Sequence, residues 1–159
     1  MGFLGGYAGE EGFNSGTGFY LWNLATEIPP FAEMNVVVYL ASALAALAAL
    51  AAAIVFRRDR PDRAVAGAAL LAAAFMVLLS PHYPWYFAWL VVFACLVPAV
   101  SLLWLTTAGF LLYLVPVGSH IVADSHRVAV ETILYAPFTA LALLDLYCRG
   151  TRLRGGVGR

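Results

Sequence analysis

Long apolar runs separated by short proline-, glycine- or charge-rich stretches set the pattern of this chain. Residues Asn35 to Phe56 are almost all apolar, and the middle of the run, ASALAALAALAAA, is built from small side chains. As a helix this run is about 33 Å long. RRDRPDR, Arg57–Arg63, follows as a short charged loop, and Ala64–Ser80 is a second apolar run stopped by Pro81 and Pro84. Trp85–Val97 is a third segment, broken by Pro98, and Ala99–Val115 is a fourth. Val117–Val128, with His120, Asp124, His126 and Arg127, reads as a loop, and Val130–Tyr147 is the fifth run. The tail RGTRLRGGVGR is basic and Gly-rich, a composition expected to be disordered. Ahead of the runs, Gly18–Ile28 predicts a short helix with Tyr20, Leu21, Leu24 and Ile28 near one face. Its Phe19, Tyr20 and Trp22 suit a membrane interface, and Pro29-Pro30 ends it.

Composition turns these helices into a membrane expectation. The chain has 159 residues, of which 63% are hydrophobic and 11% charged, with a mean hydropathy of +0.85. Soluble domains carry about 25% charged residues. No Asp, Glu, Lys or Arg occurs from Ala64 to Ala123, and about 20 apolar residues suffice to span a bilayer. The expected fold class is therefore all-α: a polytopic membrane helix bundle of about five hydrophobic helices with a short interfacial helix at the N-terminus. Residues 1–33 are expected as extracytoplasmic loop and interfacial helix, 34–148 as the transmembrane helical domain and 149–159 as a basic cytoplasmic tail. The net charge is zero and there is no lysine, which excludes a basic nucleic-acid footprint. The stretch Met1–Gly18 contains Glu10 and Glu11 and no basic start, so it is not a signal peptide. Targeting is expected from the first membrane helix or from sequence upstream.

Charge also orients the helices. Segments three and four are either a hairpin or one long helix kinked at Pro98. As a hairpin, they leave Arg57, Arg58, Arg60 and Arg63 on the same side as Arg149, Arg152, Arg154 and Arg159, with only Arg127 opposite. The positive-inside rule favours this arrangement and puts both clusters in the cytoplasm of a bacterial inner membrane. The N-terminal loop, Pro81–Tyr86 and His120–Arg127 then face outward. Cys95 and Cys148 fall near cytoplasmic helix ends, a reducing side where a disulfide is not expected.

The most pointed segment is Ser80-Pro81-His82-Tyr83-Pro84-Trp85-Tyr86. Two prolines flank a His–Tyr pair between two spans, and irregular backbone at such depth needs shelter from protein or a water-filled cavity. His82 is of the type that donates to a phosphate or transfers a proton, and Tyr83, Trp85 and Tyr86 of the type that stacks on a sugar ring. The same residues also make an ordinary aromatic belt on a proline turn. His120, Asp124 and His126 are metal-ligand types, but H-x3-D-x-H matches no strong motif and suits a solvated loop; no metal or cofactor is expected. Glu10, Glu11, Glu27 and Glu33 fit a solvated outer face or a carboxylate cluster. Asp145 lies inside the fifth run, with Arg149 four residues on as its local partner.

Ser80–Leu90, followed by Cys95, Leu96 and Pro98, resembles the C-terminal part of bacterial GT-C-type glycosyltransferases. It is most similar to the polyprenol-phosphate-mannose-dependent α-mannosyltransferases, which carry a proline–tryptophan–tyrosine stretch after a late membrane helix. Glu10-Glu11-Gly12-Phe13-Asn14-Ser15-Gly16 running into Phe19-Tyr20-Leu21 resembles the outer segment before their final helices. The resemblance implies that His82, Tyr83, Trp85 and Tyr86 line the outer cavity, with Glu10 and Glu11 near it. There the polyprenyl-phosphate sugar donor, carrying mannose, meets its acceptor. A departing phosphate needs positive charge or donors, and His82 and Arg127 are the outward-side suppliers. The family's essential outer-loop aspartate has no counterpart, so the catalytic residues are unknown. The chain is then expected to be a fragment, a partner of separate N-terminal helices or another membrane subunit, or a remnant. The competing reading is a small non-enzymatic membrane protein that packs against a partner, and a transporter is a weaker third. The fragment reading predicts that an antibody against Arg149–Arg159 detects, in host membranes, a band well above 17.1 kDa; a band at that mass favours the small-protein reading.

Overall fold

A computed structural model describes residues 16–56, 61–115 and 125–155, with backbone alone at 61–63, 125 and 149–155. Every described element is helical: α1 (Tyr20–Thr26), a 3-10 turn (Pro29–Phe31), α2 (Val36–Phe56), α3 (Pro61–Leu79), α4 (Trp85–Ala88), α5 (Leu90–Leu96), α6 (Val100–Ala108) continued by a 3-10 stretch (Gly109–Leu114), and α7 (Ser125–Gly155). No strand occurs among the described residues.

Local chemistry explains the boundaries. Asn35 caps α2: its Oδ1 accepts from the Val37 N–H at 2.8 Å, satisfying one of the orphan donors of the first turn. Alanine and leucine then carry the helix at little conformational cost. Pro61 opens α3 at the one helical position where its missing N–H does no harm. The helix ends where Ser80 takes a left-handed φ of 45° and Pro81 cannot continue.

Packing is antiparallel between neighbours. Tyr39 donates to Leu78 O at 2.6 Å across α2 and α3, and at their other end a Cβ on Gly67 would lie 2.6 Å from Ile54. Tyr135 on α7 donates to Met76 O on α3 at 3.2 Å. The ambiguous region is a hairpin. A Cβ on Gly109 would meet Phe87 at 2.5 Å, which pairs positions equidistant from Pro98. The turn is made by Val97 and an extended Ala99. Trp104 Nε1 donates to Leu134 O at 3.0 Å and fastens α6 to α7. The core runs between α3, the hairpin and α7, where Phe87, Leu90, Leu105, Leu134 and Tyr135 are buried. Helix α2 contributes only Ala43.

Several expectations need correction. The loop expected over Val117–Val128 ends earlier, because α7 begins at Ser125 and takes His126 and Arg127 into its first turn. The tail expected as disordered is helical to Gly155; arginine and leucine are good helix formers, and nothing stops the helix before the Gly155-Gly156 pair. Pro61–Arg63, expected in the charged loop, form the first turn of α3. Helix α1 does more than lie on a surface: Phe19 and Tyr20 at its start are buried, while Leu24 and Ile28 are exposed. Two stretches are long and apolar enough to cross a membrane, Val36–Phe56 and His126–Cys148, whereas Ala64–Leu79, Trp85–Leu96 and Val100–Leu114 are shorter apolar helices.

The Gly109–Phe87 contact leaves no room for a side chain. Gly109→Val is expected to lower stability by about 1–3 kcal/mol through overpacking. The thermal midpoint of the purified protein in detergent reads this out, with Ala46→Val on the exposed face of α2 as a near-neutral control.

Candidate functional site

At the Ser80 end of α3, polar side chains from three elements meet inside an apolar frame. Arg127, Glu131 and Tyr135 follow one another at helical spacing on one face of α7. Arg127 Nε donates to Glu131 Oε1 at 3.0 Å. Both residues are almost fully buried, at 2% and 1% exposure. Glu131 Oε2 has no hydrogen-bond partner among the described residues.

Below the pair, the Tyr135 ring stacks on Tyr20 with centroids 5.2 Å apart. Tyr20 is held twice more: its N–H donates to Ser80 Oγ at 3.1 Å, and its hydroxyl donates to Thr132 Oγ1 at 3.2 Å. The left-handed backbone at Ser80 serves this network, since the Ser80 hydroxyl also donates to Val77 O at 3.0 Å. Because α3 and α7 are antiparallel and Met76 meets Tyr135, one turn further along each helix brings Ser80 level with Glu131. Pro81 and His82 then sit at the height of the first turns of α7. His82 is buried, as are Ser80 and both prolines of its turn.

Of the three aromatics that follow, Trp85 turns outward, while Tyr83 and Tyr86 are half-buried and Tyr86 packs against the core. Tyr83 and Trp85 stack at 4.3 Å with an interplanar angle of 12°, and Tyr86 leans on both at 6.2 and 6.1 Å. Trp85 is exposed. The expected site is thus divided: His82 and Arg127 lie inside the same end of the molecule, while Tyr83, Trp85 and Tyr86 form a cluster with Trp85 at the surface.

Glu10, Glu11, His120 and Asp124 lie outside the described residues. Glu27, Glu33 and His126 are exposed. Among the described residues no three His, Cys, Asp or Glu side chains come together as metal ligands. Asp145 has a role the sequence did not suggest: its Oδ2 accepts from Ser101 N at 3.1 Å and from Ser101 Oγ at 2.6 Å. It caps α6 from a neighbouring helix, because Ala99 at the N-cap position has no side chain able to do so. The Arg149 side chain lies outside the described residues. The described cavity is also at this far end, a cleft of about 530 Å³ reached by Ala66, Ala73, Val97, Leu102, Ala142 and Asp145.

Glu131, Tyr135 and Tyr20 were the residues missed. A signal for Glu131 existed, an acid inside an apolar run four residues after an arginine. Placing Arg127 in a loop hid it.

Removing one member of a buried ion pair strands the other. Arg127→Met is expected to cost about 3–5 kcal/mol, and the double variant Arg127→Met/Glu131→Leu to recover most of that. Unfolding of the four proteins of this cycle in detergent measures the coupling; strictly additive losses would show that the pair is not coupled.

No family model, curated protein or solved structure matches this chain.

Proposed function

We propose that this chain is a membrane-embedded helical module that completes, together with further membrane helices, a glycosyltransferase moving mannose from a polyprenyl-phosphate donor to an extracytoplasmic acceptor. Membrane residence is supported by where the apolar surface lies. The most apolar window of α2 is only 11% buried, and Phe56 is 87% exposed. A core helix of a soluble protein hides such residues; lipid leaves them no reason to hide. In this reading all five apolar segments lie in a bacterial inner membrane. The arginine clusters at 57–63 and 149–159 mark the cytoplasmic side, so the Ser80 end faces outward.

The observation that carries the transferase reading is the burial of both His82, in the turn after α3, and Arg127, in the first turn of α7, with the Tyr83–Trp85–Tyr86 cluster following His82 in the chain. A phosphate leaving group is stabilised by fixed donors and positive charge in a site of low dielectric. Glu131 holds the Arg127 guanidinium in one orientation. The exposed indole of Trp85 offers a face to a sugar ring. The chain's part is to bind and orient the donor; it supplies no assigned base for the acceptor hydroxyl. The exposed alanine-rich surface of α2, which packs chiefly on α3, suits further helices at close approach.

The second reading is a non-enzymatic membrane subunit. It is favoured by the depth and pairing of Arg127, which suit a structural ion pair as well as a ligand site.

Mannose transfer in host membranes separates the two. With the chain present at wild-type level, His82→Ala and Trp85→Ala are each expected to reduce transfer from polyprenyl-phosphate-mannose at least about tenfold, roughly 1.4 kcal/mol of transition-state binding. Unchanged turnover in both would leave the subunit reading.

A further inference from the structure

Resting on the membrane reading above, we infer that Trp85–Leu114 is a re-entrant hairpin: it enters from the outer face, turns at Val97–Ala99 inside the bilayer and returns to the same face. Length is the first argument. Trp85–Leu96 reaches about 18 Å, well short of a hydrocarbon core of about 30 Å and shorter than Ala64–Leu79 at about 24 Å, and Val100–Leu114 returns packed against it at Gly109 and Phe87.

Depth is the second. Ser101, just past the turn, is bonded to Asp145, and the apolar span of α7 runs on from there to Cys148, about 5 Å further toward the cytoplasm. On the other flank, Val97 and Ala99 share a cleft with Ala66 and Gly67, about 8 Å short of the start of α3 at Pro61. The turn therefore stops before the cytoplasmic ends of both neighbouring helices.

Chemistry is the third. The turn Leu96-Val97-Pro98-Ala99-Val100 has no polar side chain, and Leu96 and Val100 are 63% and 60% exposed. In water that surface would be unfavourable; in lipid it is not. Broken backbone at membrane depth must instead have its polar groups satisfied by protein. Asp145 does this, accepting from the Ser101 N–H and hydroxyl at the positive end of α6. An acid inside the last apolar span, expected from the sequence to pair with Arg149, thus becomes the anchor of the hairpin tip. The re-entrant path leaves the arginine clusters where a full crossing pair would leave them, so charge distribution does not oppose it.

The test is thiol labelling with a membrane-impermeant maleimide in a Cys95→Ser/Cys148→Ser background, using Glu33→Cys, Val100→Cys and Arg154→Cys one at a time. Glu33→Cys is expected to label on intact cells, and Arg154→Cys only in inverted vesicles. Val100→Cys is expected to label at least tenfold more slowly than these from either face, yet fully after denaturation in SDS. Labelling of Val100→Cys from the cytoplasmic face as fast as Arg154→Cys would overturn the re-entrant path while leaving membrane residence intact. Labelling of Glu33→Cys and Arg154→Cys from one and the same side would instead remove the topology itself, and the hairpin with it.

Discussion

The hydrogen bond from Tyr135 to Met76 O fixes how α7 lies against α3, and both ends of the molecule follow from that register. One turn above it, Ser80 comes level with Glu131, so the proline turn at His82 closes over the start of α7. In the opposite direction, the small residues Ala69 and Ala73 of α3 face the same cleft as Ala142 and Asp145 of α7. Sliding α7 by a turn would strand the Tyr20–Thr132 bond and the Asp145–Ser101 bond together. An apolar interface is nearly indifferent to such a slide; directed hydrogen bonds are not.

The polar bonds between helices therefore act mainly as specificity devices. An ion pair as deep as Arg127–Glu131 gains little net stability, since desolvation offsets most of the attraction. Both groups lie on one face of α7, four residues apart, so the pair forms within the helix and lowers the cost of turning that face inward. Specificity comes instead from the stacked Tyr20–Tyr135 pair, whose hydroxyls each have a defined acceptor on another element. Together these contacts pull the start of α1 into the bundle, although Leu24 further along it is exposed.

The two ends differ in kind. The Ser80 end combines a buried cation, a buried imidazole and an aromatic cluster. The cleft at the other end is apolar apart from Ser101 and the Asp145 carboxylate, which is committed to holding a helix start.

The sequence by itself determined that the chain is helical, where most helices start and stop, and which proline turn deserved scrutiny. Those features depend on local terms: helix propensity, a missing proline N–H, and the length of apolar runs. It also pointed to His82, held between two prolines, and to Arg127, the one arginine between positions 64 and 148. The hairpin at Pro98, the partner of Asp145, the burial of Tyr20 and the depth at which Arg127 and Glu131 are buried were decided by tertiary structure. Each depends on which helix lies beside which, and in runs of alanine and leucine the side chains are too alike to encode that choice. Only when the few polar groups must find acceptors inside an apolar frame does a single arrangement win.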